Sequence, residues 1–238
     1  MKHPRDYYDT FSVTYEHGRD QGYHALIDDL EVEIAAEFAT GGRVLEAGCG
    51  TGRLLNRLAP VAVQAVGADL SRGMLGTARG RGLAVVQADL GALPFPDGAF
   101  DLVYSFKVLA HVPHIEDALR ELARVVRPGG RLLLEFYNPW SLRYLGKRLK
   151  RPTHVGQETT DFDVYTRYDA PTRIGSLLPP GVRLVALRGV RVVTPFAQIF
   201  RVPVLARAIA SAERRCVRSP LRYFAGFLIA VAERSLES

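Results

Sequence analysis

Apolar positions along the chain follow two different periods. From Tyr23 to Ala39 they fall at 23, 26, 27, 30, 34, 35 and 38, the spacing of one helix face. Gly41-Gly42 then stop the helix. Beyond them, short apolar runs alternate with helical patterns. Arg43–Ala47 reads as a strand and Arg53–Ala59 as a helix. Val63–Ala68 and Leu83–Ala88 read as strands, with a helix from Ser71 to Arg79 between them. Pro94-Phe95-Pro96-Asp97-Gly98 carries turn chemistry. Phe100–Ser105 is a strand and Glu116–Val126 a helix, and Pro128-Gly129-Gly130 turns the chain into a strand at Arg131–Tyr137. This alternation predicts right-handed crossovers and a parallel sheet covered by helices on both faces.

The second half is less regular. Pro139–Leu149 reads as a basic helix, and 150–168 as a loop or lid with few apolar residues. Asp169 is placed to cap a helix through Leu178, with Pro171 in its first turn. Val182–Val193 reads as a strand, and Phe196–Cys216 as helical with a break at Pro203. Phe224–Ala232 is a last, almost wholly apolar strand, the seventh.

Composition adds a compartment and a charge asymmetry. The 238 residues are 47% hydrophobic and 24% charged, which fits one globular domain and excludes a mostly disordered chain. The longest apolar stretch, Tyr223 to Ala232, is too short to span a bilayer. There is no apolar leader after Met1, and two cysteines are too few for a disulfide framework. The simplest expectation is a cytoplasmic protein. Residues 1–130 hold 13 Lys and Arg against 17 Asp and Glu, and residues 131–238 hold 18 against 8. Such a basic second half fits either an anionic partner or a solubility surface.

The chemistry concentrates where the first strand ends, at Glu46-Ala47-Gly48-Cys49-Gly50-Thr51-Gly52. Glycines let backbone approach a ligand, and the helix that follows offers unpaired N–H groups. A dinucleotide fingerprint needs a glycine at position 53, where this chain has Arg53. The pattern is instead E-x-G-x-G-x-G. Asp69 ends the second strand and Asp89-Leu90 the third. A carboxylate at the first position suits a ribose diol, and one at the second suits an adenine amino group. The alternative is that each acid caps the helix after it.

In these segments the chain resembles the class I S-adenosylmethionine-dependent methyltransferases, and more closely their type 11, ubiquinone/menaquinone methyltransferase-like group. The resemblance rests on VLEAGCGTGRLL (44–55), VGADLSRGML (66–75), VVQADLGALPFPDGAFDLVYS (85–105) and ALRELARVVRPGGRLLLEF (118–136). It implies a Rossmann-like, seven-stranded, mostly parallel α/β sheet with an antiparallel last strand. It further implies that Glu46 and the backbone of Gly48 and Gly50 hold the methionine part of the cofactor. Asp69 would bind the ribose, Leu70 and Met74 would line the adenine pocket, and Asp89 with Leu90 would hold the adenine. The backbone at Ser105-Phe106 would close the pocket. One domain would then comprise N-terminal cover helices (1–40), a cofactor core (41–137), a lid (138–168), and the rest of the sheet (169–238) with a helical insertion at 196–216. Where many relatives have a histidine pair, this chain has Ala110-His111.

By the same resemblance, Tyr15 and Arg19 are placed to reach the cofactor carboxylate; the alternative is a packed surface helix. His111 is the candidate base for an acceptor hydroxyl, or else a loop histidine bonded to backbone. The histidines lack metal-ligand spacing, so no metal is expected, and Cys49 reads as a small filler. Trp140 and Tyr144 in the lid would face the acceptor. The basic residues from Arg143 to Arg151 would attract an anionic acceptor, a carrier protein or a membrane surface, or form a solvated helix.

The expected activity is methylation of a small molecule by S-adenosylmethionine, at oxygen, with S-adenosylhomocysteine as product and carbon or nitrogen as alternatives. A nucleic-acid methyltransferase is disfavoured, since Asn138-Pro139-Trp140 only faintly matches an amino-methylation motif. A silent binding protein and an NAD-dependent oxidoreductase are the other readings.

Overall fold

The computed structural model describes residues 8–10, 12, 15–149, 165–194, 200 and 202–236, with backbone alone at 147–149. Seven strands form one sheet: β1 (Arg43–Ala47), β2 (Gln64–Asp69), β3 (Ala84–Gln87), β4 (Phe100–Ser105), β5 (Val126–Tyr137), β6 (Val182–Val190) and β7 (Phe227–Arg234). Their order is β3-β2-β1-β4-β5-β7-β6. Six strands run parallel, and β7 lies antiparallel between β5 and β6. After β1 the chain builds outward to β2 and β3, then returns to place β4 on the other side of β1. That reversal opens a crevice beyond the carboxyl ends of β1 and β4.

Helices cover both faces. On one, α1 (Gly22–Ala39) and α2 (Arg53–Leu58) bury Leu26, Leu30, Ile34 and Leu54 against Leu102, Tyr104 and Leu133. α3 (Arg72–Gly80) follows β2. On the other face, α4 (Ile115–Val125) buries Ile115, Leu119 and Leu122 against Leu45, Val103 and Leu134. Arg234 closes the end of α4, donating through Nη1 to the carbonyls of Ala123, Arg124 and Val126, which have no partner within the helix. α5 (Leu142–Leu149), α6 (Pro171–Leu177) and α7 (Pro203–Cys216) complete the described elements. No helix among the described residues is long and apolar enough to cross a membrane.

Several boundaries differ from the periodic reading. Pro128-Gly129-Gly130 lies inside β5 rather than before it, because a register shift against β4 absorbs the left-handed Gly129. β6 ends at Val190, where Arg191 turns into the left-handed region. Asp169 does not cap α6. Ala170 holds that position, and both Asp169 oxygens accept from Arg167 at 2.8–2.9 Å. Residues 150–164, most of the expected lid, and 195–199 lie outside the described residues.

Asn138 explains the one fragment that hinted at amino-group methylation. It is fully buried, and its amide donates to the carbonyls of Tyr223 and Ala225, each at 2.9 Å. Its own oxygen accepts from Trp140 N at 3.0 Å, and Ser141 beside it caps α5. The side chain is therefore a strut between β5 and β7. Asn138→Ala leaves the buried Ala225 carbonyl and the part-buried Tyr223 carbonyl without their donor, and urea denaturation should register a loss of about 1–3 kcal/mol.

Candidate functional site

β1 delivers the chain into three left-handed glycines, Gly48 (φ 82), Gly50 (φ 53) and Gly52 (φ 76). A Cβ on Gly48 would stand 2.3 Å from Val108 Cγ2, and one on Gly52 2.4 Å from Leu83 Cδ1. Gly50 meets nothing within 4 Å, so its bare backbone faces open space at the sheet edge. Cys49 packs its sulfur where a Cβ on Gly67 would come within 2.6 Å. It is a filler, and burial pushes its thiol far up, which removes the thiolate a nucleophile would need.

Each of the three acids is engaged with nearby backbone. Glu46 is buried and accepts from Leu55 N at 2.9 Å, holding the start of α2 under the loop. Burial pushes its carboxyl up to about 8. Asp69 accepts from Gly50 N at 2.8 Å and from Ser71 N at 2.9 Å, linking the glycine loop to the turn before α3. Burial raises its pKa although both amides oppose the shift. Asp89 is exposed and accepts from Gly91 N at 2.8 Å. It stands at the mouth of a cleft of about 450 Å³ between its own turn and His114, Asp117 and Glu121. Met74 and Leu90 are buried, and Leu70 is half-buried with its carbonyl bonded to Gln87. Ser105 is buried and donates to Ala47 O at 2.8 Å, and Phe106 packs on Tyr104.

The N-terminal segment fastens to these same turns. Asp9 accepts from Ser71 Oγ and from Gly73 N, and Glu16 pairs with Arg81. Arg19 stacks over Tyr15 at 4.4 Å and lies 3.7 Å from Asp28. Tyr15 and Arg19 are thus brought to the loop edge.

Periodicity did not single out the most polar part of the site. Lys107, in the left-handed region (φ 61) just past β4, puts Nζ 2.8 Å from Asp28 Oδ1 and 2.7 Å from Glu31 Oε2. Its amide donates to Glu135 Oε1 at 3.2 Å. All three carboxylates are buried. Burial alone would lower the ammonium's pKa, but Glu31, Asp28 and Glu135 outweigh it and hold Lys107 charged. Burial also opposes the charge on Asp28, yet Lys107, Arg19 and Arg53 hold its carboxyl low. Glu31 and Glu135 face each other, and burial pushes both upward despite Lys107. Two buried carboxylates placed together also disfavour each other's charge.

A family model described as a methyltransferase domain, of the type 11 group, matches residues 45–134. Residues 45–134 are thus similar to that family. The ubiquinone/menaquinone biosynthesis C-methyltransferase of Pseudomonas savastanoi pv. phaseolicola is 42% identical over 130 residues, half of each chain. The chain thus spans about half the length of the curated relatives it matches. Among solved structures, an S-adenosylmethionine-dependent methyltransferase of Thermotoga maritima, described as a possible histamine N-methyltransferase, superposes with a TM-score of 0.67. It is 19% identical and covers 98% of this chain and 99% of its own. The [4+2]-cyclase SpnF superposes at 0.65, is 20% identical, and covers 98% and 96%. These two likenesses bear on the fold alone, and one of them is not named for methyl transfer.

Within the matched segment His111 sits in a short 3₁₀ turn after β4, half-buried. Its Nδ1 lies 2.9 Å from the Tyr165 carbonyl. A carbonyl only accepts, so Nδ1 carries the proton and Nε2 is left as the basic nitrogen. The ring stands edge-on to Tyr137 at 5.6 Å. Of the two lid aromatics, Tyr144 packs on Tyr168 at 4.6 Å, while Trp140 is about half exposed.

Two measurements test the polar part of the site. Glu46 is protonated in the fold up to about pH 8 and ionised in the unfolded chain above about 4.5. The native state therefore binds the extra proton, and this group makes stability fall as pH rises between those values, by about 1.4 kcal/mol per unit. Glu46→Gln should flatten that slope in melts taken from pH 5 to 8. Lys107→Met leaves buried carboxylates uncompensated and should cost about 3–5 kcal/mol by denaturant unfolding.

Proposed function

We propose that the protein is an S-adenosylmethionine-dependent methyltransferase acting on a small molecule. The observation that carries this reading is the glycine loop at the β1/β4 crevice. It presents bare backbone at Gly50, tied through its amide to the Asp69 carboxylate, inside the segment that matches the methyltransferase family. When bound, the donor supplies a methyl group made electrophilic by a positively charged sulfur. Gly48 and Gly50 would hold its methionine part with Glu46 beneath them. Asp69 would hold its ribose and Asp89 its adenine. Leu70, Met74 and Leu90 would give an apolar wall, and Tyr15 with Arg19 would cover the carboxylate end. The turn after β4, from Ser105 to His111, would line the reacting centre.

The chain's remaining task is to align the acceptor and receive its proton. We read oxygen as the methylated atom, because His111 presents a basic Nε2 beside an aromatic group. Carbon is the second reading, favoured by the C-methyltransferase name of the relatives at 42% identity. Both acceptors give up a proton. With a ¹³C-labelled donor methyl, the product's carbon shift separates the two.

Calorimetry on the purified chain tests the donor. S-adenosylhomocysteine should bind, and Asp69→Asn should weaken it about 10–100-fold, the loss of charge-assisted hydrogen bonds to a diol. Binding of NAD with none of the sulfonium donor or its product overturns the reading. His111→Ala should lower kcat about 10²–10⁴-fold with donor affinity retained. An unchanged rate would leave His111 as a loop residue held by Tyr165.

A further inference from the structure

Two arginines at the acceptor edge of the sheet have no carboxylate partner among the described residues. Arg143, on α5, lies over the rings of Tyr137 and Phe227, at 4.8 and 5.0 Å. Arg191, in the left-handed turn after β6 (φ 64), lies over the ring of Tyr23 at 4.6 Å. Their stems converge on Gly226, where an added Cβ would stand 3.2 Å from Arg191 Cδ and 3.3 Å from Arg143 Cδ. Arg143 Nη1 and Arg191 Nε are buried and make no hydrogen bond. Among the described residues no ion pair is formed by either guanidinium.

The nearby acids are committed elsewhere. Glu213 spends both oxygens on the turn after β6, accepting from Val192 N, Val193 N, Thr194 N and Thr194 Oγ1 at 2.6–3.0 Å. Glu135 faces Glu31 and the amide of Lys107. Both residues are half-buried, and Arg191 also hydrogen-bonds Tyr23; the buried donor left open on each is costly unless an anion completes it. A bulky residue in the left-handed region adds local strain, of the kind that collects at ligand sites. Tyr137 ends β5, Phe227 begins β7, and Val190 ends β6 in register with Phe227. All three lie on the edge that also carries the glycine loop and Lys107, and Tyr137 touches the His111 ring.

Resting on the methyltransferase reading above, we propose that Arg143 and Arg191 bind an oxyanion of the methyl acceptor, so that the acceptor is a small, flat carboxylate or phosphate. Guanidinium forks match either anion with two parallel hydrogen bonds. The stacked rings fix the forks and exclude water around them. Tyr144, Tyr168 and Tyr137 supply flat surface for the body of the ligand, on the side of His111.

Equilibrium binding tests this without turnover. Three probes are titrated into the full chain saturated with S-adenosylhomocysteine: 4-hydroxybenzoate, its uncharged methyl ester, and phenyl phosphate. At least one charged probe should bind ten times or more tightly than the ester, and which one does identifies the anion. Raising salt should weaken only the charged probe. Arg143→Met and Arg191→Met keep the apolar stem over the rings. Each should weaken the charged probe about 10–100-fold while leaving the ester and S-adenosylhomocysteine unchanged, and Lys at either position should restore part of the loss. Equal binding of acid, phosphate and ester to the native chain, or no binding of either anion, overturns the proposal, as does undiminished anion binding by the folded variants. Donor product binding without anion binding sinks this inference and leaves the methyltransferase reading standing. Anion binding without donor binding does the reverse.

Discussion

A single ammonium inside the fold organises the functional edge. Lys107 follows β4 in a conformation that bulky residues rarely take, and three buried carboxylates meet it from α1 and β5. A buried cation in a low-dielectric interior must be matched where it stands. The match fixes how α1 lies on the sheet. Asp28 then passes the constraint outward, through Arg53 to Asp20 and through Arg19 to Tyr15. Val108, the next residue, is what presses on Gly48. The N-terminal segment, the glycine loop and the turn holding His111 are thus registered against one charge cluster.

The two halves of the site solve different problems. The proposed donor side is built from backbone, with left-handed glycines, bonded amides and carboxylates that tie one turn to the next. Glu46 holds α2, Asp69 joins the loop to α3, and Asp9 reaches the same turn from the N-terminus. The proposed acceptor side is built from side chains, with tyrosine rings, two arginines and a histidine whose tautomer a carbonyl sets. Backbone cradles suit a ligand of fixed shape. Side-chain pockets change with few substitutions.

That division explains what could be read from the chain. The strand and helix periods, the glycine spacing and the order of motifs are local, and they point to the crevice and to the residues expected to hold a donor. Glu31 falls on the apolar stripe of α1 between Ile27 and Ile34, and Glu135 interrupts the apolar run of β5. Both were visible as anomalies, but only the pairing of β4 with β5 and the docking of α1 bring Lys107 between them. Arg143 and Arg191 stand 48 positions apart in the sequence, and no local pattern joins them. Asp169 failed as a cap for a similar reason. Arg167, two residues away, competes for the same oxygens and gains a bidentate pair.

The superposition with a cyclase sharpens the point that the sheet does not choose the reaction. A doubly wound sheet makes a crevice at its switch point whatever chemistry follows. What narrows the chemistry here is charge placement beyond that crevice. Lys107 is paired with its own carboxylates. Glu31 and Glu135 lie in the interior, away from solvent, where burial raises the pKa of both. Among the described residues, Arg143 Nη1 and Arg191 Nε are buried donors that the cluster does not consume. On the proposed reading, a ligand would span the distance between the imidazole and the guanidinium pair, with Tyr137 in contact with His111 and Arg143.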